Sequence, residues 1–176
     1  MQTDYIEYRL LSTESDFIEY EECLYSAFIK KDPKGWLSTN YKIIDGNRFR
    51  SDIPYEDQKI FGAYKNGLLI AAISGNLNMN SKLELEKMGF NINKNENVCE
   101  GLNLFINENL GIETFDIIKN FMNFIFTKAK ELSIKKIYLT CSNKLMRMYS
   151  LYGFRKEYSL IINDKEEYLM VKDIYL

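Results

Sequence analysis

Residues 136–157, KIYLTCSNKLMRMYSLYGFRKE, hold the pattern on which the reading of the fold turns. Lys136 to Cys141 is an apolar run of strand length, and Asn143 to Leu151 has the spacing of a short amphipathic helix. Gly153 then stops that helix and leaves Tyr149, four residues before the pair Gly153-Phe154, in its last turn. A strand running straight into a short helix closed by glycine sets the helix's last tyrosine beside the strand's C-terminal edge. A phenol there can donate a proton; the same spacing also suits Tyr149, Tyr152 and Phe154 as aromatics packed at a helix end.

Working outward, Val98 to Ile106 (VCEGLNLFI) has strand character, and Ile112 to Leu132 is the longest amphipathic helix, with Ile118, Phe121, Met122, Ile125, Ala129 and Leu132 on one face. A helix of that length between two strands makes a crossover, so Val98–Ile106 and Lys136–Cys141 are expected to be adjacent and parallel, with their C-terminal ends diverging. Downstream, Arg155 to Ile162, a turn over residues 163–166 and Glu167 to Tyr175 read as a final hairpin. Upstream, Asn66-Gly67 between two apolar runs predicts a hairpin whose second strand, Leu68 to Gly75, is apolar on consecutive positions and therefore covered on both faces. Asn76 to Asn97 is polar and reads as an insertion with a small helix stopped at Gly89. Lys30 to Tyr55 holds both prolines and several turn clusters and is expected to be a long loop with one short helical turn. Before it, Ser12 or Thr13 offers an N-cap to a helix over about 14–30 that follows an outer strand, Tyr5 to Leu11.

The resulting order, β-α-loop-β-β-(α)-β-α-β-α-β-β, together with Tyr-x-x-x-Gly-Phe after a strand and a short helix, resembles the GCN5-related N-acetyltransferase (GNAT) superfamily over nearly the whole chain. The resemblance implies an α+β fold in one domain, 1–176: a seven-stranded mixed sheet flanked by helices. It further implies acetyl-CoA or another acyl-CoA as co-substrate, a small-molecule or peptide amine as acceptor, and Tyr149 as the acid that protonates the departing thiolate. The pantetheine arm would lie between Leu104, Phe105 and Ile106 on one side and Cys141 on the other. The pyrophosphate would sit on backbone N–H groups of Asn109, Leu110, Gly111, Ile112 and Glu113 at a helix N-terminus, with Asn143 nearby. The superfamily's Q/R-x-x-G-x-G/A motif is degenerate here: Glu108 stands for a donor side chain, only the first glycine matches, and Glu113 replaces a small residue. Two carboxylates repel a diphosphate and suit the helix dipole of an empty site, so Glu113→Gly is expected to tighten coenzyme binding. Lys119 and Lys144 are nearby cations.

A fainter resemblance, in Leu24 to Leu37 ending Gly35-Trp36 and in Cys99-Glu100, is to the acyl-homoserine-lactone and long-chain N-acyl amino acid synthases of the same fold. These imply acyl carrier protein as an alternative donor. Asn103 stands where they carry an arginine. Glu100, early on its strand, is the general-base candidate, set against a solvated strand-end glutamate. Trp36 and Tyr41 are candidates to line the acceptor pocket, or else pack under the loop. A catalytically silent GNAT-like module that binds a ligand or partner is the other reading of the whole chain.

Composition narrows the chemistry. The 176 residues include 13 Tyr, 11 Phe and 46% hydrophobic residues, enough for a packed core. Net charge is −2 with dispersed lysines and arginines, which gives no footprint for nucleic acid. With no histidine, Ser-His and Cys-His nucleophiles are excluded, and three scattered cysteines have no metal-ligand spacing, so no metal is expected. No apolar run has signal-peptide or membrane-spanning length, which predicts a soluble cytoplasmic protein without a membrane partner.

Overall fold

The computed structural model describes residues 5–94, 97–107 and 114–175. Seven strands form one mixed sheet in the order β1 (Ile6–Leu10), β4 (Gln58–Lys65), β5 (Leu68–Asn76), β6 (Val98–Ile106), β7 (Lys136–Ser142), β9 (Lys165–Asp173) and β8 (Arg155–Ile162), flanked by helices, and β2 (Lys42–Ile44) and β3 (Arg48–Arg50) form a separate two-stranded ribbon. The chain divides into two compact units, residues 1–74 with 103–121, and residues 75–102 with 122–176.

In the first unit, β1 (Ile6–Leu10) pairs antiparallel with β4 (Gln58–Lys65). Helix α1 (Glu14–Leu24) starts at Thr13, whose side chain accepts from the amide of Asp16 in a reciprocal capping box. Asp16 also takes both guanidinium N–H groups of Arg9, at 2.9 and 2.7 Å, and Arg9 lies over the Tyr64 ring, 4.0 Å from its centroid. That charge-assisted fork ties α1 to the sheet and holds the Asp16 carboxyl well below the usual carboxylate range. Tyr20 and Leu24, four apart on the buried face, enter a core with Leu11, Ile60, Tyr64, Leu69 and Phe105.

Two expectations change in this unit. The helix over 14–30 is α-helical only to Leu24; Tyr25–Ile29 widen into a π-helical turn, with Lys30 N–H donating to Tyr25 C=O. The segment 30–55 is not a loop. Helix α2 (Trp36–Asn40) is followed by β2 (Lys42–Ile44) and β3 (Arg48–Arg50), joined through Asp45 and Gly46 at φ 50° and 78°. Asp-Gly is a hairpin signal, hidden here because the strands have only three residues each and the second, Arg48-Phe49-Arg50, is mostly charged. Tyr41, Phe49 and Ile53 are buried, so the segment contributes to the core. Strand β5 (Leu68–Asn76) follows the Asn66-Gly67 turn and is buried without a break from Leu69 to Ser74, as its continuous apolar run requires.

The second unit contains α3 (Glu84–Lys87), β7 (Lys136–Ser142), α5 (Asn143–Leu151), β8 (Arg155–Ile162) and β9 (Lys165–Asp173). Strand β6 (Val98–Ile106) pairs in parallel with β7 through Val98–Lys136, Cys99–Ile137 and Glu100–Tyr138. The ladder stops there, whereas β7 continues along β9 as far as Ser142–Glu167. The final turn is tighter than expected: Asn163 and Asp164, both left-handed, join β8 directly to Lys165. The polar stretch 76–97 does more than intervene, because Leu83, Leu85, Phe90 and Ile92 pack with Val98, Tyr138, Leu169 and Val171 in a second core. Along α4 (Thr114–Glu131), Ile117 rather than Ile118 is buried, with Phe121, Met122, Ile125 and Ala129, and Leu132 beyond its end is exposed.

Candidate active site

Strand β7 delivers the chain to Ser142 at the N-cap position of α5, where its side chain makes no capping hydrogen bond, and α5 ends in a complete set of Schellman hydrogen bonds. Phe154 N–H donates to Tyr149 C=O at 3.1 Å and Gly153 N–H to Ser150 C=O at 3.0 Å, with Gly153 at φ 82°. Phe154 closes the motif by meeting the Tyr149 ring edge-on, centroids 5.5 Å apart. Tyr149 is buried at 4% exposure. Burial pushes its pKa up, so the phenol keeps its proton at neutral pH and is in the form that an acid needs.

Glu100 is not a solvated strand-end residue: it is 1% exposed. One carboxylate oxygen accepts from Leu85 N–H at 2.7 Å and the other from the Asn76 amide at 2.9 Å. Burial raises its pKa to about 7 against those two hydrogen bonds, with Glu84 adding to the rise. A carboxyl at that value is divided between acid and base at neutral pH, which is the property required of a general base. Glu84, which the sequence did not single out, is a second buried carboxylate at 3% exposure. Its Oε1 lies 2.8 Å from Lys87 Nζ, and its Oε2 makes no hydrogen bond among the described residues. The signal for it was an acid flanked by two core leucines, Leu83 and Leu85.

The other candidates divide. Trp36 and Tyr41 come together, ring centroids 6.1 Å apart, and Tyr41 stacks on Phe49 at 5.1 Å; Tyr41 is buried. Phe105 points into the first core, where it meets Tyr20 at 6.2 Å, while Leu104 and Ile106 are half-buried. Asn143 and Lys144 are exposed at the start of α5, and Lys119 is exposed on α4. Asn109, Leu110, Gly111, Ile112 and Glu113, with Glu108, lie outside the described residues.

The first unit holds a polar cluster that the sequence did not reveal. Glu21, fully buried on α1, accepts from Arg50 Nε at 2.6 Å and from the Tyr55 hydroxyl, and faces Arg48 at 3.5 Å; Arg48 also pairs with Asp45. Only the ribbon β2–β3 brings these residues together, so their sequence separation carried no signal.

The cysteines supply no nucleophile. Burial pushes the thiols of Cys99 and Cys141 to about 12 and that of Cys23 to about 11, so all three are protonated at neutral pH. Among the described residues, no three His, Cys, Asp or Glu side chains are grouped to hold a metal, and no helix is long and apolar enough to cross a membrane.

No family model matches this sequence, and no curated protein matches it either. Solved structures do match by backbone. The chain is similar to the AHL synthase LasI, with TM-score 0.81 and 11% identity over 98% of this chain and 91% of that one. It is similar to FeeM, an N-acyl amino acid synthase from uncultured soil microbes, with TM-score 0.69 and 13% identity over 98% and 92%. A probable acetyltransferase from Staphylococcus epidermidis matches with TM-score 0.64 and 16% identity over 97% and 100%. At these identities the likeness is one of architecture, and that architecture, a mixed seven-stranded sheet flanked by helices, is the GNAT-like acyltransferase fold.

Proposed function

We propose that the protein is an N-acyltransferase that moves an acyl group, acetyl in the simplest case, from coenzyme A to a primary amine of a small molecule or peptide. The observation that carries this reading is the fold, since solved structures that match it by backbone include an N-acyl amino acid synthase, an AHL synthase, a probable acetyltransferase and an acyl-CoA N-acyltransferase. Local chemistry supports it. The deprotonated amine nitrogen attacks the thioester carbonyl, the carbon–sulfur bond breaks, and the thiolate leaves with a proton. Glu100, poised near neutrality, takes the ammonium proton, and Tyr149, held protonated by burial, returns one to sulfur. The donor's arm and phosphates fall to Leu104, Phe105, Ile106, Asn143 and the backbone of residues 109–113, and the acceptor to Trp36 and Tyr41. Three free cysteines, two of them buried, suit the cytoplasm.

Acyl carrier protein is the alternative donor that the sequence resemblance to acyl-homoserine-lactone and N-acyl amino acid synthases implies, although matching acyl-homoserine lactone synthases include two described as CoA-dependent. A silent binding module is favoured by a different observation: both oxygens of Glu100 are engaged by Asn76 and Leu85, and Tyr149 is accounted for by the end of its helix. Thermal-shift and turnover measurements with acetyl-CoA, longer acyl-CoAs and acyl carrier protein thioesters separate the three. A donor that raises the melting temperature and is consumed with an amine present establishes transfer and its source. Stabilisation without turnover establishes the silent module.

A further inference from the structure

Two features of the first unit meet on α1 and β6. Tyr20 is 2% exposed, on the same helix face as Leu24, and its hydroxyl has no hydrogen-bond partner among the described residues. A buried phenol hydroxyl without a partner is a cost that most sites avoid by using phenylalanine. The side chain beside it is Asn103, close enough to lower the pKa of the phenol although not in hydrogen-bonding geometry, while burial raises it. Asn103 is itself unusual: it sits in the middle of β6 at φ 55°, the left-handed region. The alternation of burial along β6 changes phase there, with Leu102 and Phe105 buried and both Asn103 and Leu104 half-buried between them. A residue inserted out of phase in a strand re-aims its side chain, and holding a residue other than glycine left-handed costs free energy that the surroundings must offset. Strand strain and an unpartnered hydroxyl therefore coincide at one point.

We propose that Tyr20 and Asn103 form a recognition point for a neutral hydrogen-bonding group, an amide or a hydroxyl, on the molecule whose amine is acylated; this rests on the acyl-transfer reading above. A hydroxyl and a carboxamide each donate and accept, so together they match a group that does both. The neighbouring charges argue against a charged ligand group here. Glu21 is matched by Arg50 and Arg48, and Arg48 also by Asp45, so two carboxylates and two guanidiniums balance and no charge is left over for a buried ion.

The test has two arms, using Tyr20→Phe, which removes only the hydroxyl, and Asn103→Gly, which keeps the left-handed backbone and removes the carboxamide. In the first arm, Tyr20→Phe is expected to raise the melting temperature of the ligand-free protein by roughly 2 °C or more, because the unpartnered hydroxyl is gone. A merely structural hydroxyl would give an unchanged or lower value, and that result overturns the proposal. In the second arm, acetyl-CoA is supplied with 4-aminobutanamide, its apolar isostere 4-methylpentan-1-amine, or 4-aminobutanoate. The wild type is expected to favour the amide over both others by about tenfold in kcat/KM, and each variant to erase that preference while still acetylating 4-methylpentan-1-amine. A ratio near one in the wild type, or a preference that survives both variants, overturns the proposal. If none of the three amines is acetylated and no donor in the panel above is consumed, the acyl-transfer reading fails by itself, and the melting temperature of Tyr20→Phe decides whether the hydroxyl is held for a ligand.

Discussion

Helices α3 and α5 end with the same hydrogen bonds but carry different residues at the matching position. In α3, Phe90 N–H donates to Leu85 C=O at 2.9 Å and Gly89 N–H to Glu86 C=O at 3.1 Å; in α5 the corresponding bonds run from Phe154 to Tyr149 and from Gly153 to Ser150. Both glycines are left-handed, at φ 101° and 82°. The spacing x-x-x-x-Gly-Phe is thus a rule for stopping a helix and burying the residue five before the phenylalanine. It occurs twice in this chain, once with leucine and once with tyrosine. What the second stop adds is an aromatic ring that carries a hydroxyl, and since only the hydroxyl can move a proton, any catalytic meaning must reside in that oxygen and not in the spacing. The first stop has its own consequence, since Leu85 N–H near the start of that short helix is what engages Glu100.

The comparison breaks most sharply at Tyr149. Phenylalanine there makes the two stops chemically alike while keeping the ring against Phe154. Positioned proton transfer is worth ~10²- to 10⁴-fold, so Tyr149→Phe is expected to lower turnover by at least the smaller factor, with melting temperature and donor affinity nearly unchanged. Full activity in the variant would reduce Tyr149 to the role that Leu85 plays.

A second measurement probes the first stop through Glu100. Its carboxyl is raised from 4.5 to about 7 in the folded chain, so the folded state holds the proton more tightly than the unfolded state. The stability that follows is complete below about 4.5 and is lost as pH rises through about 7. The melting temperature of the wild type should therefore fall across that window, and Glu100→Gln should flatten the fall. A general base acts in its ionised form, so kcat/KM should move the other way, rising through about pH 7, and the variant should lose that inflection. A wild-type melting curve that rises across the window would mean that the carboxylate is held ionised at its two hydrogen bonds.

The smallest effect sharpens the shared geometry. Alanine at Gly89 or Gly153 must adopt a left-handed backbone, at a cost of about 1–2 kcal/mol each by denaturant unfolding. At Gly89 the new methyl group meets only Leu160 at 3.6 Å, an ordinary contact, whereas at Gly153 it meets Lys172 Nζ at 2.8 Å. The ammonium is the end of a flexible chain and can move, so Gly153→Ala should exceed Gly89→Ala only slightly. A large difference between them would show that the two stops are not equivalent. The end of α4 shows that glycine is not obligatory: Ser133 is left-handed at φ 57°, with Ile134 N–H on Ala129 C=O.

Where a structural choice depends on a few neighbouring residues, it was legible in the sequence. Ser12 or Thr13 marked the start of α1, Asn66-Gly67 the hairpin, and Gly153-Phe154 the helix stop that positions Tyr149. The continuous apolar run of β5 announced a strand covered on both faces, and the helix between β6 and β7 required their parallel pairing. Caps, turns and periodicity act through hydrogen bonds and backbone angles within one or two turns of chain, so the residues that cause them lie next to their effects. The hairpin at Asp45-Gly46 shows the limit of that rule, since strands of three residues have too little periodicity to be recognised. The properties on which chemistry depends were settled by the tertiary structure. Glu100 becomes a carboxyl near neutrality because Leu85 and Asn76, 15 and 24 residues away, close over it. Glu21 gathers Arg48, Arg50 and Tyr55, and Tyr20 keeps an unpartnered hydroxyl beside Asn103. Burial and the field of neighbouring charges arise from groups brought together across the fold, and they set the proton affinity of a side chain whose identity alone leaves it open.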